Sequence, residues 1–197
     1  MQLVFAFLVA VAATTSQPPV ASALPSAPAG AEQAEVEFVR GCCARTLYPR
    51  LCCAGLAPRA ASVHYSHARL ALASANLTLA ALNALAARIP ASSGGGALDD
   101  CTEVVASAAD QAARAAERLG GVEQAVGLEV LWRVDDARTW LSAAMTNEDT
   151  CADGLRPRGS ATAMVRAELR ARVRRAEQYT SISLALVDML VSSNPRR

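Results

Sequence analysis

Leu98–Leu119, LDDCTEVVASAADQAARAAERL, is the stretch that decides the fold. Leu98, Cys101, Val105, Ala108, Ala112, Ala115 and Leu119 recur at alternating steps of three and four residues. That spacing stacks small and apolar side chains along one face of a helix, as the seam of an antiparallel bundle requires. Glu103, Ser107, Asp110, Arg114 and Glu117 occupy the other face, and Gly120-Gly121 ends the helix. A lone amphipathic helix has nothing against which to bury its stripe, so the pattern calls for partner helices.

The flanking sequence supplies them. Ala60–Ile89 repeats Leu70, Leu77, Ala81 and Leu85 near the helical period and ends at Pro90 and the Ser92–Gly96 turn. Its polar stripe is Ser62, Ser66, Arg69, Asn76 and Asn83; Asn76-Leu77-Thr78 is an N-glycosylation acceptor on that stripe. After the quoted helix, residues up to Leu131 read as a loop or short helix. Val134, Ala137, Leu141 and Ala144 then mark a further helix, stopping at an Asn147-Glu148-Asp149-Thr150 turn. A final helix runs from about Ser160 to Ser193, with Val165, Leu169, Val173, Ala176, Tyr179, Ile182, Leu186 and Met189 facing inward. Before all of these, Glu32–Ala57 forms two short helical pieces broken at Tyr48-Pro49, because proline cannot continue a helix and restricts the residue before it. The fold class is all-α: an up-and-down four-helix bundle with an N-terminal helical hairpin, occupying residues 32–194.

Residues 1–30 carry no charge, and Leu3–Ala13 is an apolar run of signal-peptide length, too short to span a membrane. Ala21-Ser22-Ala23 gives a cleavage pattern, with Ala13 as an alternative site, so residues 1–23 read as a signal peptide and residues 24–31, rich in Pro, Ala and Ser, as a disordered leader. After Gly30, no apolar stretch reads as a second membrane span. Six cysteines in an exported chain read first as a disulfide framework, since thiols oxidise outside the cell.

The net charge of +1 conceals an asymmetry. Residues 101–153 hold four arginines against ten acids, and residues 154–197 nine arginines against three acids. Two readings stand side by side: oppositely charged helices attract one another, or an acidic face meets a basic protein. Nucleic acid fits poorly, because the basic residues lack interleaved aromatics and the chain is exported.

Catalytic signatures are missing. There is no Gly-x-Ser-x-Gly elbow, phosphate loop or metal-ligand helix motif. His64 and His67, three apart, have no third ligand or nucleophile beside them. Glu103 with Asp110, or Asp135 with Asp136, would need a cleft to act as a carboxylate pair, and a slim alanine-rich bundle offers none. No cofactor and no metal are expected. A zinc site built from both Cys-Cys pairs is disfavoured by the oxidising compartment.

Three blocks carry a family resemblance. Val39–Leu56, VRGCCARTLYPRLCCAGL, fits a C-x-x-T-x-Y-P-x-x-C hairpin on Cys43, Thr46, Tyr48, Pro49 and Cys52. Leu98–Glu103 fits an L-x-D-C-x-E helix start, and Thr139–Gly154, TWLSAAMTNEDTCADG, fits a third block. Taken in order, these span nearly all of the mature chain, and the sequence resembles the plant invertase and pectin methylesterase inhibitor family. The resemblance implies two disulfides, Cys43 with Cys52 and Cys101 with Cys151. The first lies across the Tyr-Pro break, and the second ties one helix to the end of a later one. Cys42 and Cys53 depart from the family pattern, and three fates stay open for them: a bond to each other, free thiols, or exchange with their neighbours.

The resemblance further implies a non-catalytic protein of the apoplast and cell wall. It would lay its middle helices over the pectin-binding groove of pectin methylesterase in a 1:1 complex, with Glu103, Asp110, Thr150 and Asp153 at matching contact positions. One rival is inhibition of cell-wall or vacuolar acid invertase, although that branch often carries a Pro-Lys-Phe contact motif and this chain has no lysine. Another is an apoplastic binding module that inhibits nothing.

Overall fold

Pro49 starts the second of two short helices, where its missing N–H costs nothing. In the computed structural model, which describes residues 29–90, 96–156 and 163–192, α1 spans Ala29–Cys43 and α2 spans Pro49–Leu56. Thr46 Oγ1 donates to Cys43 O at 2.8 Å inside the turn between them. The Cys43–Cys52 disulfide closes the hairpin, with a Cα–Cα distance of 5.5 Å. Cys42, buried, and Cys53, half-buried, are free thiols. With Cys43 and Cys52 bonded, a four-thiolate zinc site is also excluded.

The signal segment, residues 1–23, lies outside the described residues, as does the leader up to residue 28. Residues 29–31, expected in the leader, already belong to α1.

Ala60–Ile89 is not one continuous helix. A 3-10 turn, Ala57–Arg59, leads into the short α3, Ala60–Val63. The chain then breaks at His64 and Tyr65, both left-handed at φ 46° and 57°. Ser66 caps α4, His67–Ala86, accepting a hydrogen bond from the Arg69 amide at 3.2 Å. The break is held from several sides. Ser66 Oγ donates to Glu123 Oε1 at 2.7 Å, Arg69 Nε donates to Glu123 Oε2 at 2.8 Å, and His64 Nδ1 lies 3.0 Å from Glu35 Oε1. Phe38 meets Tyr65 and His67 edge-on. Ser62 and Ser66 therefore do not lie on the α4 surface stripe, and His64 and His67 share no helix face. Ser66→Ala removes both the cap and the bond to Glu123. It should lower stability by about 1 kcal/mol, read as a shift in the urea midpoint; an unmoved midpoint would mean that the other contacts hold the break without Ser66.

Gly96 at φ 112° and Gly127 at φ 59° occupy the N-cap positions of α5, Ala97–Gly120, and α6, Leu128–Gly154, in backbone conformations that L side chains resist. The final helix, α7, covers Ala163–Ser192. Cys101, Val105, Ala108, Ala112, Ala115 and Leu119 are all buried along α5, as the opening stretch predicts. On α7 the inward stripe holds from Leu169 onward, whereas Val165 is exposed. The expected stop at Asn147–Thr150 is wrong: α6 runs through these residues to Gly154. Position 148 continues the stripe Val134, Ala137, Leu141 and Ala144, so this polar tetrapeptide stays helical with Glu148 turned inward.

α5 packs against α4 and α6, and α7 packs against the same two helices, so α5 and α7 sit diagonally. Mid-bundle, Leu82, Ala108, Ala109, Ala112, Ala144 and Ala176 form a core of mostly alanine, which brings the helices close together. Larger side chains fill the space under the hairpin, where Leu56, Leu70, Ile182 and Leu186 meet Val39 and Val63. Contrary to the sequence reading, α4 has the length and apolar composition of a membrane span. Its Leu70, Ala71, Ala75 and Leu82 are nevertheless buried against the bundle, the pattern of a core helix.

Candidate partner-binding face

Cys101 sits near the start of α5 and Cys151 near the end of α6, both 1 % exposed. Their disulfide holds the Cα atoms 4.5 Å apart, with Val105, Leu155, Leu169 and Val173 packed around it. Glu103 is thus fixed two residues from the bond, Thr150 one residue from it and Asp153 two residues from it. All three are exposed, as is Asp110 two turns further along α5. Thr150 Oγ1 donates to Thr146 O at 2.8 Å, and Asp153 pairs with Arg156 at 2.8 Å.

Polar contacts fasten α5 to α6 along the same side. Asn147 Nδ2 donates to Gln111 Oε1 at 2.9 Å, the Arg114 guanidinium lies 5.0 Å from the centre of the Trp140 ring, and Arg118 pairs with Asp136 at 3.3 Å. Two rods joined by a covalent bond at one end and by these contacts along their length present a ridge with little freedom to rearrange. That pre-organisation lowers the entropic cost of docking. Asp136 is committed to Arg118, and Glu103 and Asp110 lie on the open side of a helix. Among the described residues, no cluster of His, Cys, Asp and Glu is arranged to hold a metal.

The ridge is acidic because the α5 start carries Asp99, Asp100 and Glu103 while the α6 end carries Asp149 and Asp153. At the start of α5 these charges suit the helix dipole; at the end of α6 they oppose it. Beneath the α6 end lies a residue that sequence reasoning missed. Glu148 is 0 % exposed, with Oε1 2.7 Å from Thr180 Oγ1 and Oε2 without a hydrogen-bond partner. Burial pushes its pKa up to about 8; the Thr180 contact acts the other way, and Glu177 and Asp149 reinforce the rise. Glu177 is raised too, by burial first and then by Asp149. The stripe itself held the clue, since 141, 144, 148 and 151 follow the helical period, but a glutamate beside Asn, Asp and Thr reads more readily as a turn.

Residues 37–186 match the family model described as plant invertase/pectin methylesterase inhibitor. The chain belongs to this family. Pectinesterase inhibitor 11 of Arabidopsis thaliana is 29 % identical over 198 residues, covering 93 % of each chain. Pectinesterase inhibitor 10 of the same plant is 28 % identical over 173 residues, covering 82 % of this chain and 53 % of its own, so this chain spans about half of that relative. Among solved structures, mutant form A of a pectin methylesterase inhibitor from Arabidopsis superposes with a TM-score of 0.58 at 20 % identity, covering 79 % of this chain and 95 % of that one. The likeness in fold agrees with the all-helical, disulfide-stapled bundle described above.

Proposed function

We propose that this protein is a secreted inhibitor of pectin methylesterase that works by occlusion. The acidic ridge of α5 and α6 lies across the enzyme's pectin-binding groove in a 1:1 complex and denies the polymer access. Glu103, Asp110, Thr150 and Asp153 make the contacts, and the protein carries out no reaction of its own. Family membership supports the inhibitor role. The observation that carries the reading to this ridge is the Cys101–Cys151 bond, which holds three of these four exposed side chains in one place. Residues 1–23 direct export towards the apoplast and are removed during export. Asn76, exposed on α4, accepts a glycan; Thr78 of the same tripeptide is buried, 3.0 Å from Ser183 Oγ, so glycan transfer precedes folding.

Acid invertase is the second reading, and the lack of any lysine, hence of the Pro-Lys-Phe motif, weighs against it. The oxidised protein titrated into plant pectin methylesterase and acid invertase side by side should inhibit the esterase. Inhibition of invertase alone would reverse the target, and inhibition of neither would end the inhibitor reading for both enzymes. Glu103→Lys with Asp110→Lys should raise the half-inhibitory concentration about tenfold or more, since reversed charges at a docking face cost both attraction and steering. Both positions are exposed, so circular dichroism should show an unchanged fold. An unaltered concentration would remove these two residues from the contact.

A further inference from the structure

On the far side of the bundle, the start of α2 lies against the middle of α7. Tyr48, Pro49, Arg50 and Leu51 on one wall and Gln178 on the other line a groove of about 280 Å³. The Tyr48 side of the groove is open, with that residue 36 % exposed. Arg174 and Arg175 precede Gln178 by four and three residues, which places both on the adjoining turn of the same helix surface. Arg50, Arg174 and Arg175 are exposed, and among the described residues none of the three forms an ion pair. The acids nearby are otherwise engaged. Glu168 pairs with Arg172 at 2.8 Å, and the half-buried Glu177, whose carboxyl feels Arg174, faces Asp149 and Asp153 of α6.

An aromatic ring, a side-chain amide and one guanidinium lining the groove, with two more guanidinium groups on the adjoining turn of α7, match a sugar chain that bears carboxylates. A pyranose C–H face packs on the tyrosine ring, hydroxyls bond the amide, and planar guanidinium groups pair with carboxylates in bidentate fashion. Resting on the inhibitor reading above, we infer that this groove binds demethylesterified galacturonan, the polyuronate that pectin methylesterase leaves behind. Each ester hydrolysed turns a neutral uronate ester into a carboxylate that the groove recognises. The α2 wall of the groove packs mainly against α1, α4 and α7 rather than against the ridge helices α5 and α6, so that wall stays open while the acidic ridge engages the enzyme. Inhibitor then accumulates where the esterase has already acted, a negative feedback through the product.

The test uses the full mature chain without enzyme, titrated by calorimetry with a defined oligogalacturonate, with its fully methylesterified form, and with dextran sulfate. The oligogalacturonate should bind, with the methylesterified form at least about tenfold weaker. Arg174→Gln with Arg175→Gln should weaken oligogalacturonate binding about tenfold while leaving inhibition of pectin methylesterase unchanged. Arg50→Gln should act in the same direction. No binding of the oligogalacturonate, equal binding of dextran sulfate, or undiminished binding by the arginine variants would overturn the inference. Because the calorimetric titration uses no enzyme and inhibition is measured separately, the uronate site and the inhibitor reading stand or fall on separate readouts.

Discussion

Glu148→Gln should make the protein more stable than the parent at pH 8 and strip out most of the fall in stability between mildly acidic and mildly alkaline conditions. Folding raises the pKa of Glu148 from the ordinary 4.5 to about 8. The folded state therefore keeps a proton that the unfolded state releases across that window. Stability is full below about pH 4.5, declines by up to about 1.4 kcal/mol per pH unit as pH rises towards 8, and levels off above it. Across the window the loss is on the order of a few kcal/mol. Glu123 and Glu168, held low by Arg69 and Arg172 with which they pair, act in the opposite sense and strengthen the fold above the ordinary carboxylate range. Only the difference between parent and variant isolates Glu148. Glutamine is neutral at every pH but brings an amide N–H that the site does not pair, at a cost of about 1–3 kcal/mol. The two stability curves should therefore cross, with the parent ahead near pH 5 and the variant ahead at pH 8. Urea midpoints taken from pH 4.5 to 8.5 would read this, and parallel curves would mean that Glu148 stays ionised inside the fold.

Cys101→Ala with Cys151→Ala should lower the melting temperature by about 10 °C. The bond spans a sequence separation of 50 residues, and closing a loop of that size in the unfolded chain is worth about 4 kcal/mol in the chain-entropy model. A core of small side chains offers little burial to make up the difference. Changing both partners avoids a stray thiol, so the shift reports the cross-link alone. Inhibition should weaken as well, because Thr150 and Asp153 lose their fixed position relative to Glu103. An unchanged melting temperature under oxidising conditions would show that packing around Val105 and Leu155 holds the two helix ends together unaided.

Helix faces were readable from the sequence because burial follows a fixed period. Leu98 to Leu119 gave the α5 seam nearly residue by residue, and Pro49 marked the hairpin break because its effect is local. Two misreadings share one cause. At Ser66 the apolar period runs on without interruption, and the left-handed pair before it is held by Glu35, Phe38 and Glu123, all remote in sequence. At Asn147–Thr150 composition argued for a turn, while the environment that keeps Glu148 neutral exists only after α6 and α7 have packed. In both places tertiary contact overrode local preference. The exposed side chains of the acidic ridge were legible as one face of a helix, whereas the Tyr48–Gln178 groove was not, since it joins residues about 130 positions apart through α2 docking on α7.

Amide hydrogen exchange of the oxidised protein, with and without saturating pectin methylesterase, tests the docking face most directly. The account predicts added protection over residues 101–110 and 146–154, with the α2 start and residues 171–178 of α7 unchanged. Protection on the α2–α7 side instead, or none on α5 and α6 while the esterase is inhibited, would contradict it.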